Sequence, residues 1–449
     1  MKTVDTIAHG VGAYRADADV PLDVARQVIA ATIDAVDAAA RDAGVRADAG
    51  RKACETLPLM RALGRVLAAD VVAPIDVPSD ANSAMDGYAF AFASYQHAPA
   101  SGLPIVGRAL AGRPFGAPAP AGGCVRIMTG AVLPAGCDTV IPQELAEVST
   151  AADGVRHVRF PGKPVQSGVN IRQAGEDLTR GAVALRAGTV LRPAHIGLLA
   201  SLGLAEVAVR RRLRVAFFST GDELRSAGQT LDPGCVYDSN RHTIAGMLDR
   251  LGVEAIDLGV VPDQRDALHA TLRQAAAGAD AVITSGGVSV GEADFVRSLL
   301  DELGDVVFWK MAMRPGRPFA FGRLTNVEAG RSALFFGLPG NPVAVMACFY
   351  HLVRDALLQL MGATGMPLPT VSALMATRVS KRAGRTEFLR GIAEAQPGSH
   401  ELSVRLTGPQ GSGILKSMSE ANCFIVLEHA RDTVEAGQRV EVIFFEGLV

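Results

Sequence analysis

Between Arg214 and Leu360 the chain repeats one unit: a short apolar run, a turn rich in glycine or acidic residues, then a segment of helical periodicity. RVAFFS (214–219) runs into TGDEL, VEAIDLGVV (253–261) into Pro262 and Asp263, DAVITS (280–285) into GGVSVGEAD, and ALFFGL (333–338) into PGNP. Helices are predicted over Asn240 to Leu251, over Asp266 to Ala277, and from Asp294 and Pro342 onward, with a further strand at DVVFW (305–309). Strands alternating with helices predict right-handed crossovers and a mostly parallel sheet. Ligands on such sheets bind beyond the carboxyl ends of the strands, and the turns TGDE, SGGVSVGEAD and GLPGNP all fall there.

Those turns carry the residues that could do chemistry. Asp222, Glu223, Asp263 and Asp294 would repel one another at neighbouring strand ends unless a cation sat among them. Mg²⁺ suits such a place, because it takes one or two carboxylates and completes its octahedron with water and phosphate oxygens. The competing reading for each is helix N-capping. Lys310, Arg314 and Arg317 are grouped around Pro315 and Pro318, whose fixed φ lowers the entropy lost when several charges converge on one anion. Gly286, Gly287, Gly291, Gly337 and Gly340 could open the turns. Pro342 at a helix start would leave amides near Asn341 and Val343 free for an anion. No G-x-x-x-x-G-K-[ST], no G-x-G-x-x-G after a strand and no G-x-S-x-G is present, so a P-loop, a dinucleotide fold and serine hydrolysis have no support.

The remaining chain reads differently. Pro21 to Asp42 has Leu22, Ala25, Val28, Ile29, Ile33 and Val36 at helical spacing, as an extension outside the main fold. Glu55 to Leu67 reads as an amphipathic helix, 82–165 as a small β-rich module and Pro193 to Leu204 as a helix. Short strands from Pro369 onward read as a C-terminal β domain. At 449 residues, two to four domains are expected. The net charge of −2 offers no global field for nucleic acid. Six cysteines far apart, with no C-x-x-C, argue against a zinc site or disulfide scaffold and fit a reducing cytosol. No apolar run of membrane-spanning length is present, and the expected location is cytoplasmic.

Several runs in order, NSAMDGYA (82–89), RIMTGAVLPAGCDTVIPQE (126–144), NIRQAGED, FFSTGDEL, YDSN, TSGGVSVGEADF, FWKMAMRPGRPFAFG and GLPGNPV, resemble molybdopterin molybdenumtransferase, the family that includes the C-terminal domain of gephyrin. The resemblance runs from about residue 55 to the end and leaves the first fifty residues outside. It implies a multidomain α/β plus β architecture: an N-terminal extension (1–54), an elongated part from two segments (55–81 and 166–207), a β-rich module (82–165), a parallel-sheet α/β substrate domain (208–365) and a C-terminal β domain (366–449). It further implies a homodimer that inserts molybdate into adenylyl-molybdopterin and releases AMP with Mg²⁺, the final step of molybdenum cofactor biosynthesis. A molybdopterin adenylyltransferase would be its partner, with neither nucleic acid nor membrane involved.

By the same resemblance Asp86, Thr129, Asp177, Glu223, Asp263, Asp294 and Lys310 are the catalytic candidates, with Glu223 and Asp294 on the metal. Ser285, Gly286, Gly287, Ser289, Arg314, Arg317, Pro339, Asn341, Pro342, Arg390 and Ser412 are the substrate-binding candidates. Asp86 and Thr129, which read as ordinary turn residues on their own, would then act across the dimer. Arg314 and Arg317 stand where the family often has lysine, which favours bidentate oxyanion contacts. Ala344 stands where a serine is common. A nucleotide pyrophosphatase and a gephyrin-like scaffold are the alternatives.

Overall fold

The computed structural model describes residues 19–42, 53–98, 100–161, 165–287, 294–326, 331–396, 398 and 401–448. Its centre is a six-stranded sheet in the order Glu254–Val261, Arg214–Thr220, Ala281–Ser285, Arg331–Leu338, Pro318–Asn326, Gly304–Lys310. The first four strands are parallel. Pro318–Asn326 runs antiparallel to both its neighbours, so Gly304–Lys310 again runs with the first four. The sheet is mostly parallel as expected, and the added strand is the one the sequence did not predict. That strand begins with a proline, at a first position where the missing donor is tolerated.

Alternation along the strands fills both faces. Val215 and Phe217 join one core with Ile283, Phe336 and the helices Ser239–Leu251 and Pro342–Cys348. Ala216 and Phe218 join the other with Leu268, Leu272, Leu299 and Leu300. These leucines come from the helices Arg265–Gly278 and Asp294–Leu303. Among the described residues, one helix, Pro342–Leu360, is long and apolar enough to span a bilayer. Its surface is largely buried, so it is the core helix of this domain.

The N-terminal helix forms as expected, Leu22–Asp42, but it is not outside the main fold. Leu22, Ala25, Val28, Ile29 and Ile33 belong to the same core as the sheet. Burying the four larger of these side chains stabilises by roughly 6–12 kcal/mol before entropy. Arg26 Nε donates to the His351 carbonyl (2.8 Å) and Gln359 Nε2 to the Ala30 carbonyl (3.1 Å), pinning the helix to the long core helix. The amphipathic stripe that reads as an appendage is the inner face of a core element.

A second correction concerns Glu55 to Leu67. Rather than a helix, this segment is the strand Cys54–Pro58 and a single tight turn, Leu59–Arg61. The strand pairs antiparallel with Glu206–Arg210. Tertiary pairing has overridden local periodicity here. Two further ladders continue outward, Val71–Val72 with Val183–Leu185 and Asn82–Ser83 with Ile171–Arg172. The outgoing and returning segments are thus zipped into a stalk, whose small core holds Leu59, Leu67, Leu191, Leu199 and Val207. At its end sits a six-stranded β-rich sheet drawn from strands between Gly87 and Arg159. The C-terminal domain is a six-stranded β sheet that takes Met313–Arg314 as an edge strand beside Thr386–Ala395.

Candidate functional site

All four parallel strands end at one cleft, as the chain reading required. Its larger lobe, about 900 Å³, is lined by Thr220, Asp222, Glu223, Asp238, Asn240 and Asp263, and by the turns Gly286–Gly287 and Pro339–Pro342. A smaller lobe of about 500 Å³ continues from it across Pro318 and Pro339–Asn341. Here the charged lining is Arg314, Arg317 and Arg385, with Asp19 opposite, and Ser412 and Gln410 enter from the C-terminal domain. One lobe is therefore carboxylate-rich and the other guanidinium-rich, and they share a wall.

Two of the carboxylates are tied to neighbouring strand ends by hydrogen bonds. Thr220 Oγ1 donates to Asp263 Oδ1, and the Asp263 amide donates to Asp222 Oδ1 (3.2 Å). Asp263 is not a helix cap: the helix Arg265–Gly278 is preceded by Gln264, without a side-chain cap bond. The carboxylate of the cleft that does cap a helix is Asp238, at the start of Ser239–Leu251, where it accepts from the Arg241 amide (3.1 Å) and the Ser219 hydroxyl (3.0 Å). Asn240 ties three turns together by donating to Ser285 Oγ (2.8 Å) and to the Gly340 carbonyl (2.6 Å). Ser285 is buried beneath the Gly286–Gly287 turn, and its contact with the Pro339 carbonyl (3.4 Å) ties it to the neighbouring turn. Gly286 is required there: its φ is +92°, and a Cβ would lie 2.4 Å from the Thr220 carbonyl oxygen.

The cations are positioned by the C-terminal domain. Arg314 pairs with Glu387 in the ladder between Met313–Arg314 and Thr386–Ala395. Arg385, which the sequence reading missed, donates through Nε to the buried Glu387 (2.8 Å). The RTEF run around it carries no glycine or proline punctuation, so only the fold shows that it faces the cleft. Beneath the loop, Gly316 (φ +104°) lets Cys348 Sγ approach; a Cβ would be 2.6 Å from that sulfur.

Several expectations are changed. Arg390 is fully buried and does not line the cleft. It donates to Ser417 Oγ (2.9 Å) and to the carbonyls of Gln410 (3.2 Å) and Gly411 (2.8 Å). Burial, with the Arg314 charge adding, pushes its guanidinium pKa down to about 10. Arg390 thus shapes the 409–412 loop that presents Ser412. Lys310 ends the strand Gly304–Lys310, half-buried, and lines neither lobe. The Val343 amide is not free for an anion, because it donates to the Ser412 carbonyl (3.0 Å). Ser289 lies outside the described residues, as do Gly291 and Glu292 and the side chain of Asp294.

Asp86, Thr129 and Asp177 line neither lobe of this chain's own cleft. Thr129 donates its amide (2.7 Å) and its hydroxyl (2.6 Å) to one oxygen of Asp86 on the exposed edge of the β-rich module. These bonds, the hydroxyl's first, hold the Asp86 carboxyl below the usual range. Asp177 is exposed on the stalk, with its amide on the Val77 carbonyl (3.0 Å).

Among the described residues no three or more His, Cys, Asp or Glu side chains converge as a preformed metal cage. The oxygen-only donor set of Asp222, Glu223 and Asp263 nevertheless fits Mg²⁺, which draws much of its coordination from water and substrate phosphates.

Comparison with known proteins now bears on this geometry. Three family profiles match in order: the MoeA N-terminal region (domain I and II) over residues 20–203, a probable molybdopterin binding domain over 216–359, and the MoeA C-terminal region (domain IV) over 372–445. The first begins at residue 20, so the N-terminal helix lies inside the family's extent rather than outside it. A molybdopterin molybdenumtransferase from Haemophilus influenzae is 43% identical over 396 residues, covering 88% of this chain and 95% of its own. Molybdopterin molybdenumtransferase 2 from Mycobacterium tuberculosis is 34% identical over 402 residues, 87% of this chain and 95% of its own. The crystal structure of a molybdopterin biosynthesis moea protein from Pyrococcus horikosii superimposes with a TM-score of 0.72 at 29% identity, over 95% of this chain and 99% of that one.

Proposed function

This chain belongs to the molybdopterin molybdenumtransferase family, and from that premise we propose that its two-lobed cleft inserts molybdate into the dithiolene of adenylyl-molybdopterin and releases AMP. The observation that carries the reading is the shared wall at Pro339–Asn341, with carboxylates on one side and guanidinium groups on the other. A substrate with a phosphoanhydride and an oxyanion to be joined to it has that charge pattern.

In the basic lobe, Arg314, Arg317 and Arg385 hold the oxyanion. Their planar donors match paired oxygens better than ammonium groups do. In the acidic lobe, Asp222 and Glu223 would hold Mg²⁺, with Asp294 as the further family candidate. When bound, the ion neutralises charge on the phosphoanhydride oxygens. The Gly286–Gly287 turn, closed on Thr220, brings backbone without side chains to the wall of the cleft and so leaves room for the pterin phosphate. Two Mo–S bonds form to the substrate's own sulfurs as one Mo–O bond breaks, the oxide leaving as water with the two thiol protons. An oxygen of molybdate or of water attacks the adenylyl phosphorus and the P–O bond to the pterin phosphate breaks, that phosphate being the leaving group. AMP is released directly when water attacks, or when water then cleaves the adenylyl–molybdate bond. No cysteine of the chain is called on. Cys348, the thiol nearest the basic loop, is buried, and burial pushes its pKa up.

The chain works as a homodimer in this reading, with Asp86 and Thr129 acting from a second copy, and takes its adenylylated substrate from a molybdopterin adenylyltransferase in the cytoplasm. Support comes from the exposed edge on which that pair sits, away from its own cleft. Incubation with adenylylated pterin, with and without molybdate, tests the function by following AMP. Molybdate-dependent AMP release is expected. An equal AMP yield without molybdate would instead identify a nucleotide pyrophosphatase.

A further inference from the structure

Among the described residues one carboxylate lines the basic lobe, and it comes from the N-terminal arm. Asp19 Oδ1 lies 2.9 Å from Arg317 Nη2, and both residues line the lobe. On its own this is a solvent-exposed ion pair, of a kind worth little to stability. Its placement gives it another consequence.

The arm is not free to swing. Val20, the next residue, is clamped on both sides: its amide donates to the Lys310 carbonyl (2.6 Å), and the Ala312 amide donates to the Val20 carbonyl (2.7 Å). It therefore forms a parallel bridge with Met311, immediately before the Arg314–Arg317 loop. The Val20 side chain is buried in the main core, and the helix that follows is fixed by Arg26 and Gln359. Backbone pairing and core packing together hold a negative charge at the one guanidinium it touches. An oxyanion arriving at Arg317 meets a donor group already shared and a like charge a few ångströms away, an interaction that stays significant near a protein surface.

We propose that Asp19 is a built-in counter-charge that competes with the oxyanion for Arg317 and holds down the affinity of the basic lobe for free oxyanions. The inference rests on the reading of that lobe as the oxyanion site. Without such a competitor, Arg314 and Arg317, beside an Arg385 already paired with Glu387, would retain abundant dianions more readily. With it, the lobe fills firmly only when the rest of the substrate contributes.

Equilibrium dialysis of the full chain against molybdate alone, without pterin, tests this. Asp19→Asn keeps size and removes charge, and it should tighten molybdate binding about two- to fivefold, the range an exposed ion pair commands. Asp19→Ser should do the same, which guards against a fault peculiar to one variant. In an Arg317→Gln background the gain should vanish, because the group competed for is gone. A purely structural role for Asp19 would lower the melting temperature without tightening anything. Unchanged or weaker binding in both Asp19 variants overturns the inference, as does a gain that survives Arg317→Gln, or no molybdate binding by any of these proteins. AMP release is followed separately: its absence from the wild type would refute the transferase reading while the dialysis comparison still reports on Asp19.

Discussion

The two lobes of the cleft share the Pro339–Asn341 wall but are made by different means. Carboxylates of the larger lobe stand in the turns at the ends of parallel strands, where acidic residues are locally at home. The guanidinium groups of the smaller lobe stand on the segment between antiparallel strands and just before a strand of another domain, brought together by the Met313–Arg314 ladder. Acidity here follows from local fold grammar, whereas basicity is assembled from distant chain. The acidic lobe should therefore govern turnover and metal demand, and the basic lobe affinity for the oxyanion.

Glu223→Gln tests that division most severely. It should lower the rate of AMP release ~10²–10³-fold and raise the magnesium requirement, while leaving half-saturation by molybdate near its original value. An effect confined to molybdate affinity would erase the distinction between the lobes. Arg314→Ala is the mirror experiment. Losing a charge-assisted contact to an oxyanion should raise half-saturating molybdate about 10- to 100-fold, with a smaller change at saturation.

Less depends on Gly316→Ala, in which the new methyl would press on Cys348 at a positive φ. It should cost about 1–2 kcal/mol in urea unfolding and weaken molybdate binding with it. Unaltered stability would mean that the loop moves freely over Cys348, and the basic lobe would no longer be a fixed construction.

Thr129→Val should have the smallest effect. Both Thr129 bonds favour the ionised form of Asp86, so the folded-state pKa lies below the unfolded one. The stabilisation is present above the unfolded value and is lost as pH falls through the folded one. The variant's Asp86 carboxyl should titrate closer to an ordinary aspartate by NMR. Its stability deficit relative to wild type should shrink between pH 5 and pH 3, a window set by the ordinary carboxylate value of about 4.

Asp222, Glu223 and Asp263 were legible in the chain, because the runs around them announce strand ends through local composition. Asp238 and Asn240, which also line the acidic lobe, were not singled out, and most of GGVSVGEAD lies outside the described residues. Arg314 and Arg317 were legible too, through the prolines beside them. Arg385 was not, since it reaches the cleft only through a ladder with a distant strand. Arg390 was misjudged for the related reason that sequence shows a charge but not its burial. The stripe of Leu22, Ala25, Ile29 and Ile33 was read correctly as a helix and wrongly as an appendage. Periodicity reports that a face is apolar, not what covers it. Glu55 to Leu67 shows the reverse failure, in which a strand partner some 150 residues downstream outweighed a helical pattern.

The stalk has a consequence for how such a chain can change over generations. Its outgoing and returning strands lie side by side through three successive ladders, so the β-rich module enters and leaves the molecule at neighbouring points. Lengthening, trimming or exchanging what hangs beyond Ser83 and Ile171 would leave the register of the central sheet intact. The molecule can thus retailor the rest of its outer arm without disturbing the central sheet, provided the Asp86–Thr129 pair is kept.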